Sequence, residues 1–148
     1  MAVNRLGVPK RMGRNIVSCP EVGEWVADRV GGKYNAADSQ AIGLEKDGNF
    51  IAGVIFERYN GVSLWMHVAI EGRLTPAYIK AIFNYAFIDC DVEKVIGTVT
   101  SGNVKAIKFD EHLGFTEEGR IRNACIEGDI ILYTMTKEQC RYINYGRR

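Results

Sequence analysis

Three apolar segments separated by short polar turns form the most regular part of the chain, between residues 40 and 70. Residues 40–45, 50–58 and 62–70 are rich in β-branched and aromatic side chains, which favour strands. Asp47-Gly48 supplies the positive φ angles that a tight hairpin needs, and Asn60-Gly61 marks the second turn. The pattern predicts a meander of three antiparallel strands.

Helical periodicity appears on both sides of this meander. Ser18 and Glu21 have the spacing of a capping box, which predicts a helix over residues 20–30 that stops at the following glycines. Thr75-Pro76 opens a second helix, since a capping residue precedes a proline at the first helical position. The inward face of the second helix is predicted to consist of Ile79, Ile82, Phe83, Ala86 and Phe87.

The remainder of the chain predicts two further helices and three further strands, and residues 15–18 predict a short strand before the first helix. In order, these later elements are a strand at 93–100, a helix capped by Asn103 and ended by Gly114, strands at 115–126 and 129–136, and a short helix capped by Thr136.

The order of the main predicted elements is β-α-β-β-β-α-β-α-β-β. Strands 62–70 and 93–100 are joined by a helix, so they should lie parallel with a right-handed crossover. Hairpin connections make the other neighbours antiparallel. The predicted class is therefore α/β of the mixed α+β kind: a central, mostly antiparallel sheet with one parallel strand pair and helices on both faces.

Length and composition indicate how many domains the chain forms and in which cellular compartment it is expected. The chain has 148 residues and is 47% hydrophobic, which suits one domain with a real core. Residues 1–14 carry basic side chains and no acid, and they are expected to be loosely ordered; residues 15–148 form the single domain. No apolar run reaches the ~20 residues of a membrane span, and the basic start lacks a signal's apolar segment. We expect a cytoplasmic protein without a membrane partner.

Cysteine spacing and net charge point to no special chemistry. Cys19, Cys90, Cys125 and Cys140 lie far apart, without the C-x-x-C spacing of zinc or redox sites. We expect reduced thiols and no metal. The net charge of +1 does not indicate a class of partner.

One segment carries a resemblance to a known family. Asn103-Val-Lys-Ala106-Ile-Lys-Phe109-Asp110-Glu-His-Leu113-Gly114-Phe115 resembles the GNAT N-acetyltransferase superfamily, which shows Asn, a small residue three positions on, and Leu-Gly-Phe after that. The likeness extends over roughly residues 40 to 136, and its style is closest to the branch that acetylates protein N-termini and to small phage and bacterial members.

The resemblance implies acetyl-CoA as co-substrate, bound where the two parallel strands splay apart. The pantetheine arm would pair with the backbone of residues 68–70, and the pyrophosphate would lie at the start of the helix that Thr75 caps. Asn103 would bond the arm from the opposite side. The implied cofactor-binding residues are Val68, Ala69, Ile70, Arg73, Leu74, Thr75, Asn103, Ala106 and Phe109.

This chain departs from the family pattern at two places. The phosphate loop, Glu71-Gly-Arg73-Leu-Thr-Pro76-Ala77, lacks the family's later glycines, and Pro76 lacks an N–H donor. Many members place a tyrosine seven residues after the asparagine as proton donor, and Asp110 occupies that position here. Asp110 could donate a proton only if burial raised its pKa.

Acyl transfer to an amine also needs a base and stabilisation of an oxyanion. Backbone N–H groups near residues 68–70 could serve the oxyanion. His67 lies beside them and is the candidate base, against the alternative of a hydrogen-bonded structural histidine. Glu57 and Glu71 are further candidates, for which solvated or ion-paired carboxylates are the alternative. The predicted catalytic residues are His67 and Asp110.

These features predict an N-acetyltransferase that moves an acetyl group from acetyl-CoA to a primary amine of a protein or small molecule by direct attack. Two alternatives stay open. One is a non-catalytic binding protein on the same fold, and the other is an acyltransferase of phage type that modifies a nucleic-acid base. Nucleic acid is a conceivable partner through the basic ends, and a homodimer is compatible with the fold.

Overall fold

The computed structural model describes residues 10–143 of the chain. Its strands are β1 (Lys10–Gly13), β2 (Ile16–Ser18), β3 (Gln40–Lys46), β4 (Asn49–Glu57), β5 (Ser63–Ile70), β6 (Lys94–Thr100), β7 (Thr116–Cys125) and β8 (Gly128–Thr136). Its helices are α1 (Pro20–Val30), α2 (Pro76–Asn84), which continues as a π-helical turn (Tyr85–Asp89), and α3 (Val104–Leu113).

The described strands form one sheet in the order β1-β2-β3-β4-β5-β6-β8-β7. Only β5 and β6 are parallel neighbours; the other pairs are antiparallel. The predicted class, a mixed and mostly antiparallel sheet with one parallel pair and helices on both faces, is confirmed. Within residues 10–143, no helix combines the length and apolar character needed to cross a bilayer.

The larger core lies between the sheet and the layer formed by α2, its π-helical end and α3. The rings of Phe83 and Phe87 stack there with centroids 6.2 Å apart, and Tyr142 stacks on Phe83 at 5.1 Å. The buried hydroxyl of Tyr78 donates to the carbonyl oxygen of Ile42 at 2.7 Å, which ties α2 to β3 and satisfies both groups.

Helix α1 covers the opposite face over β3, β4 and β5. It lies close to the sheet because Gly43 and Gly53 are cross-strand partners beneath it. A Cβ atom on Gly43 would come within 2.7 Å of Val22, and one on Gly53 within 2.5 Å of Val26. Larger side chains at these glycines would therefore push the helix away from the sheet.

Among residues 10–143, no helix covers the same face of β6, β8 and β7. Strand partners share a face, so pairing extends the α1 face from Trp65 through Ile96 to β8 and β7. The outermost apolar side chain on it, Ile121, is 54% exposed. The sheet is thus enclosed on one side and only half covered on the other.

In the segment that was expected to be loosely ordered, Lys10–Gly13 pairs with β2 as an edge strand, and residues 1–9 lie outside the described residues. Two local expectations were wrong. The capping box does not form: Cys19 is the N-cap of α1, and Ser18 instead donates to the carbonyl oxygen of Ala41 at 2.6 Å. After β8 the chain forms a turn, not a helix, in which the Thr136 hydroxyl accepts from the Gln139 N–H.

Candidate active site

The central feature of the site is a gap in the sheet between β5 and β6. These parallel strands pair only over Ser63–Trp65 and Lys94–Ile96. Beyond these residues the described pairing stops, although β5 continues to Ile70 and β6 to Thr100. Each strand keeps its outer neighbour along this stretch. The backbone groups that β5 and β6 turn toward each other are therefore available to a ligand.

A cleft of about 840 Å³ passes through this gap from one face of the sheet to the other. Most of the predicted site residues line it: His67, Val68, Ala69, Ile70, Asn103, Ala106, Phe109 and Asp110. The structure thus brings together residues from β5 and α3 that lie about 40 positions apart in the sequence.

His67 and Glu57 form a hydrogen-bonded pair on the α1 face of the cleft. The distance from His67 Nε2 to Glu57 Oε1 is 2.8 Å, and the side chains are 32% and 26% exposed. An ionised carboxylate only accepts hydrogen bonds, so Nε2 carries the hydrogen in this pair. In the neutral imidazole, Nδ1 then keeps its lone pair and can accept a proton.

Asp110 lies across the cleft on α3. Burial, and to a lesser extent the negative charge of Glu111, raises the pKa of its carboxyl group from 3.8 to about 6. A carboxylic acid with such a pKa keeps a protonated fraction near neutral pH and can act as a proton donor.

Helix α3 presents its first turn to the cleft. The side-chain oxygen of Asn103 accepts from the Ala106 N–H at 3.2 Å, so this asparagine caps the helix. The cap leaves the amide hydrogens of Asn103 for another acceptor. Lys105, which the sequence analysis did not select, also lines the cleft and brings a positive charge.

Three predicted residues lie at the start of α2, outside the lining of the cleft. Thr75 caps the helix, and its hydroxyl accepts from the Tyr78 N–H at 3.2 Å. Leu74 borders a small apolar hollow between β5, α2 and α3, and Arg73 is exposed. These residues could meet only a ligand that extends past the cleft.

The cleft also contains residues that no motif indicated. Gly97 is the first residue of β6 beyond the paired stretch, and a Cβ atom there would meet only the Met66 carbonyl oxygen, at 3.5 Å. Arg29 binds Glu71 at 2.7 Å and stacks on Trp25 at 3.9 Å. The alternation of side chains along β6 could have suggested that Gly97 faces the cleft. The ion pair between Arg29 of α1 and Glu71 after β5 could not be predicted, because it depends on tertiary packing.

Several solved acetyltransferase structures have a fold similar to that of this chain. A crystal structure of a probable acetyltransferase matches with a TM-score of 0.65 and 18% identity, over 88% of this chain and 98% of that chain. The spermidine N-acetyltransferase of Vibrio cholerae in complex with CoA and spermine matches with a TM-score of 0.61 and 19% identity, over 81% and 76%. The Campylobacter jejuni N-acetyltransferase PseH in complex with acetyl coenzyme A gives 0.54 and 17%, over 68% and 70%.

The chain therefore has the fold of the GNAT acetyltransferases, as the resemblance implied. Among curated proteins, it is similar to the ribosomal N-acetyltransferase-like protein YdaF of Bacillus subtilis (strain 168), with 25% identity over 83 residues. That match covers 53% of this chain and 45% of the relative, so the chain spans less than half of that protein's length. No protein-family model matches the chain.

Proposed function

We propose that the protein is an acetyl-CoA-dependent N-acetyltransferase that acts on a primary amine. The observation that carries this proposal is the cleft through the β5–β6 gap, with a hydrogen-bonded His67–Glu57 pair on one side and Asp110 on the other. The fold and the CoA and acetyl-CoA complexes of similar structures support the same chemistry.

The gap fits the pantetheine arm of the co-substrate. An extended chain of amides can bond to the backbone groups that β5 leaves unpaired beyond Trp65. Gly97 keeps the passage wide at that point. Arg73 and Lys105 bring positive charge to the two helix N-termini near the cleft, where phosphates would be favoured.

The proposed reaction needs two proton transfers. The amine nitrogen attacks the thioester carbonyl carbon, forming a C–N bond, and the C–S bond then breaks to release the thiolate of CoA. Nδ1 of His67 takes one proton from the amine, while Glu57 holds the ring by its Nε2–H. The backbone N–H groups of Val68 and Ile70, which alternate toward the gap while that of Ala69 points to β4, stabilise the oxyanion, and Asp110 donates a proton to the leaving thiolate.

Titration calorimetry and a thiol-release assay test this function. Acetyl-CoA and CoA should bind, whereas adenosine 3′,5′-bisphosphate, which lacks the pantetheine arm, should bind much more weakly. Addition of an amine should release free CoA thiol. Absence of binding by both CoA forms would overturn the proposal. Binding without thiol release for any amine would instead favour a non-catalytic protein on this fold.

A further inference from the structure

On the α1 side of the sheet, the cleft opens onto a part of the sheet that the described residues leave uncovered. We call this part the open face and define it by side chains that strand pairing places on the side of α1. Its apolar side chains are Trp65, Ile96, Ile121, Ile130 and Leu132, and the threonines Thr98, Thr100, Thr116, Thr134 and Thr136 and the lysine Lys94 lie among and beside them. None of the five apolar side chains belongs to the buried core, and Ile121 is 54% exposed. A surface of apolar and threonine side chains beside the proposed catalytic pair is a typical binding surface.

The open face offers little free negative charge to a cationic ligand. Glu118 at its far edge binds Lys94 at 2.7 Å, and Glu71 at the loop beside α1 binds Arg29 at 2.7 Å. Glu57 accepts a hydrogen bond from His67, and its negative charge lies 3.7 Å from the guanidinium of Arg58. Binding of a small polycation would require unpaired carboxylates, because each fixed positive charge needs a partner when it leaves water.

On the basis of the proposed function, we infer that the acceptor amine belongs to a polypeptide that lies extended across the open face. The face consists mainly of apolar and threonine side chains, and its nearby charges are paired within the protein, which suits neutral and apolar peptide side chains and not a polyamine. A second copy of this chain is a poor occupant, because it would shut the amine out from His67, which lies at the edge of the same face.

The size of the open face sets the length of peptide that it can hold. Three strand spacings separate β5 from β7, about 14 Å at roughly 4.8 Å each. An extended peptide covers this distance in about four or five residues at roughly 3.3 Å per residue. Residues beyond that length would gain no further contact with the face.

Steady-state kinetics with acetyl-CoA and unblocked peptides of increasing length test this inference. The kcat/KM should rise with length up to about five residues and then level off, and it should exceed the value for spermine or spermidine. Ile121→Asp should lower kcat/KM about tenfold for a long peptide and leave it unchanged for a dipeptide amide that cannot reach β7.

Ile88→Asp is the matched control. Ile88 is 43% exposed and belongs to the π-helical turn on the other side of the sheet, so this variant should leave all peptides unaffected. Equal kcat/KM for short and long peptides, or a preference for polyamines, would overturn the inference while leaving the transferase itself intact. Absence of turnover with every amine would overturn the proposed function as well.

Discussion

The two edges of β5 differ in how far their backbone hydrogen bonding extends, although the same residues form both edges. Toward β4, pairing runs without a break from Glu57↔Trp65 to Ala52↔Ile70. Toward β6, it ends after Trp65↔Ile96. The first edge completes the backbone hydrogen bonding that holds the fold together, and the second leaves backbone groups free to bond water or a ligand in the cleft.

The gap is stable because each strand that borders it is fully held on its other side. Strand β6 pairs with β8 from Lys94↔Thr136 to Thr100↔Ile130, along its whole length. The sheet is therefore two complete half-sheets joined by three residue pairs. A substitution that closes the gap should abolish ligand binding without unfolding either half.

Gly97→Val should have the largest effect of any single change that we consider. A Cβ atom at this position has only the Met66 carbonyl oxygen within 4 Å, so the fold should tolerate a side chain here. The valine methyl groups would enter the proposed path of the co-substrate. We expect the Kd for CoA to rise at least a hundredfold by titration calorimetry, with little change in Tm.

Gly119→Ala is the control for this variant. Gly119 lies on the edge strand β7, where a Cβ atom would make ordinary contact with Leu132 at 3.4 Å. It should leave CoA affinity unchanged. Undiminished binding by the Gly97→Val variant would mean that the co-substrate does not use the gap.

His67→Ala should have the next largest effect, on turnover and not on binding. Loss of the proposed base should lower kcat about a hundredfold at saturating acetyl-CoA. Glu57→Gln keeps a hydrogen-bond acceptor for the ring but removes the charge, so we expect about a tenfold loss and an altered pH–rate profile. If both variants kept the wild-type kcat, the His67–Glu57 hydrogen bond would have only a structural role, at the point where β5 and β6 separate.

Much of the fold could be predicted because it depends on local patterns. The turn at Asp47-Gly48 has φ angles of 52° and 81°, as its composition indicated. The caps at Thr75 and Asn103 and the αL residue Gly114 also follow from residue type. The inward face of α2 and its π-helical end was predicted except for Tyr78 and Tyr85. The burial of Tyr78 depends on a distant partner, the Ile42 carbonyl oxygen.

The site was predictable only in part, because its geometry depends on contacts between distant segments. The resemblance selected residues of β5 and α3 that do line one cleft. It did not reveal that Glu57 bonds His67, since the two residues lie ten positions apart on different strands. The capping box that does not form shows the same limit. Ser18 has the right spacing from Glu21, but its hydroxyl donates to the Ala41 carbonyl oxygen of β3 instead of capping the helix.

Asp110→Asn should lower kcat about tenfold and change its pH dependence. The protonated, donating form of Asp110 decreases as pH rises through its pKa of about 6, so the wild-type rate should lose a contribution above that pH. The asparagine variant cannot show this loss. Rate measurements between about pH 5 and 9 at saturating substrates would detect the difference; an unchanged profile would remove Asp110 from the reaction.

The same substitution should stabilise the fold at neutral pH. Because the folded protein binds this proton more tightly than the unfolded chain, the unfolding free energy of the wild type falls between about pH 4 and 6 and stays lower above. Asparagine removes this penalty, on the order of 1 kcal/mol for a side chain that keeps some contact with water. Denaturant unfolding at pH 7 would measure the gain, which should vanish at pH 4.

Lys105→Ala should have the smallest effect, and it tests where the co-substrate's phosphates lie. Lys105 lines the cleft in the first turn of α3, whereas Lys108 on the same helix is exposed and lies outside that lining. An exposed lysine near a phosphate contributes little, so the Kd for CoA should rise about threefold at low salt and less at high salt. Lys108→Ala should leave it unchanged. Of the two lysines on α3, Lys105 alone lines the cleft. Equal effects of the two variants would therefore indicate a general electrostatic attraction by α3 and not a phosphate contact at the mouth of the gap.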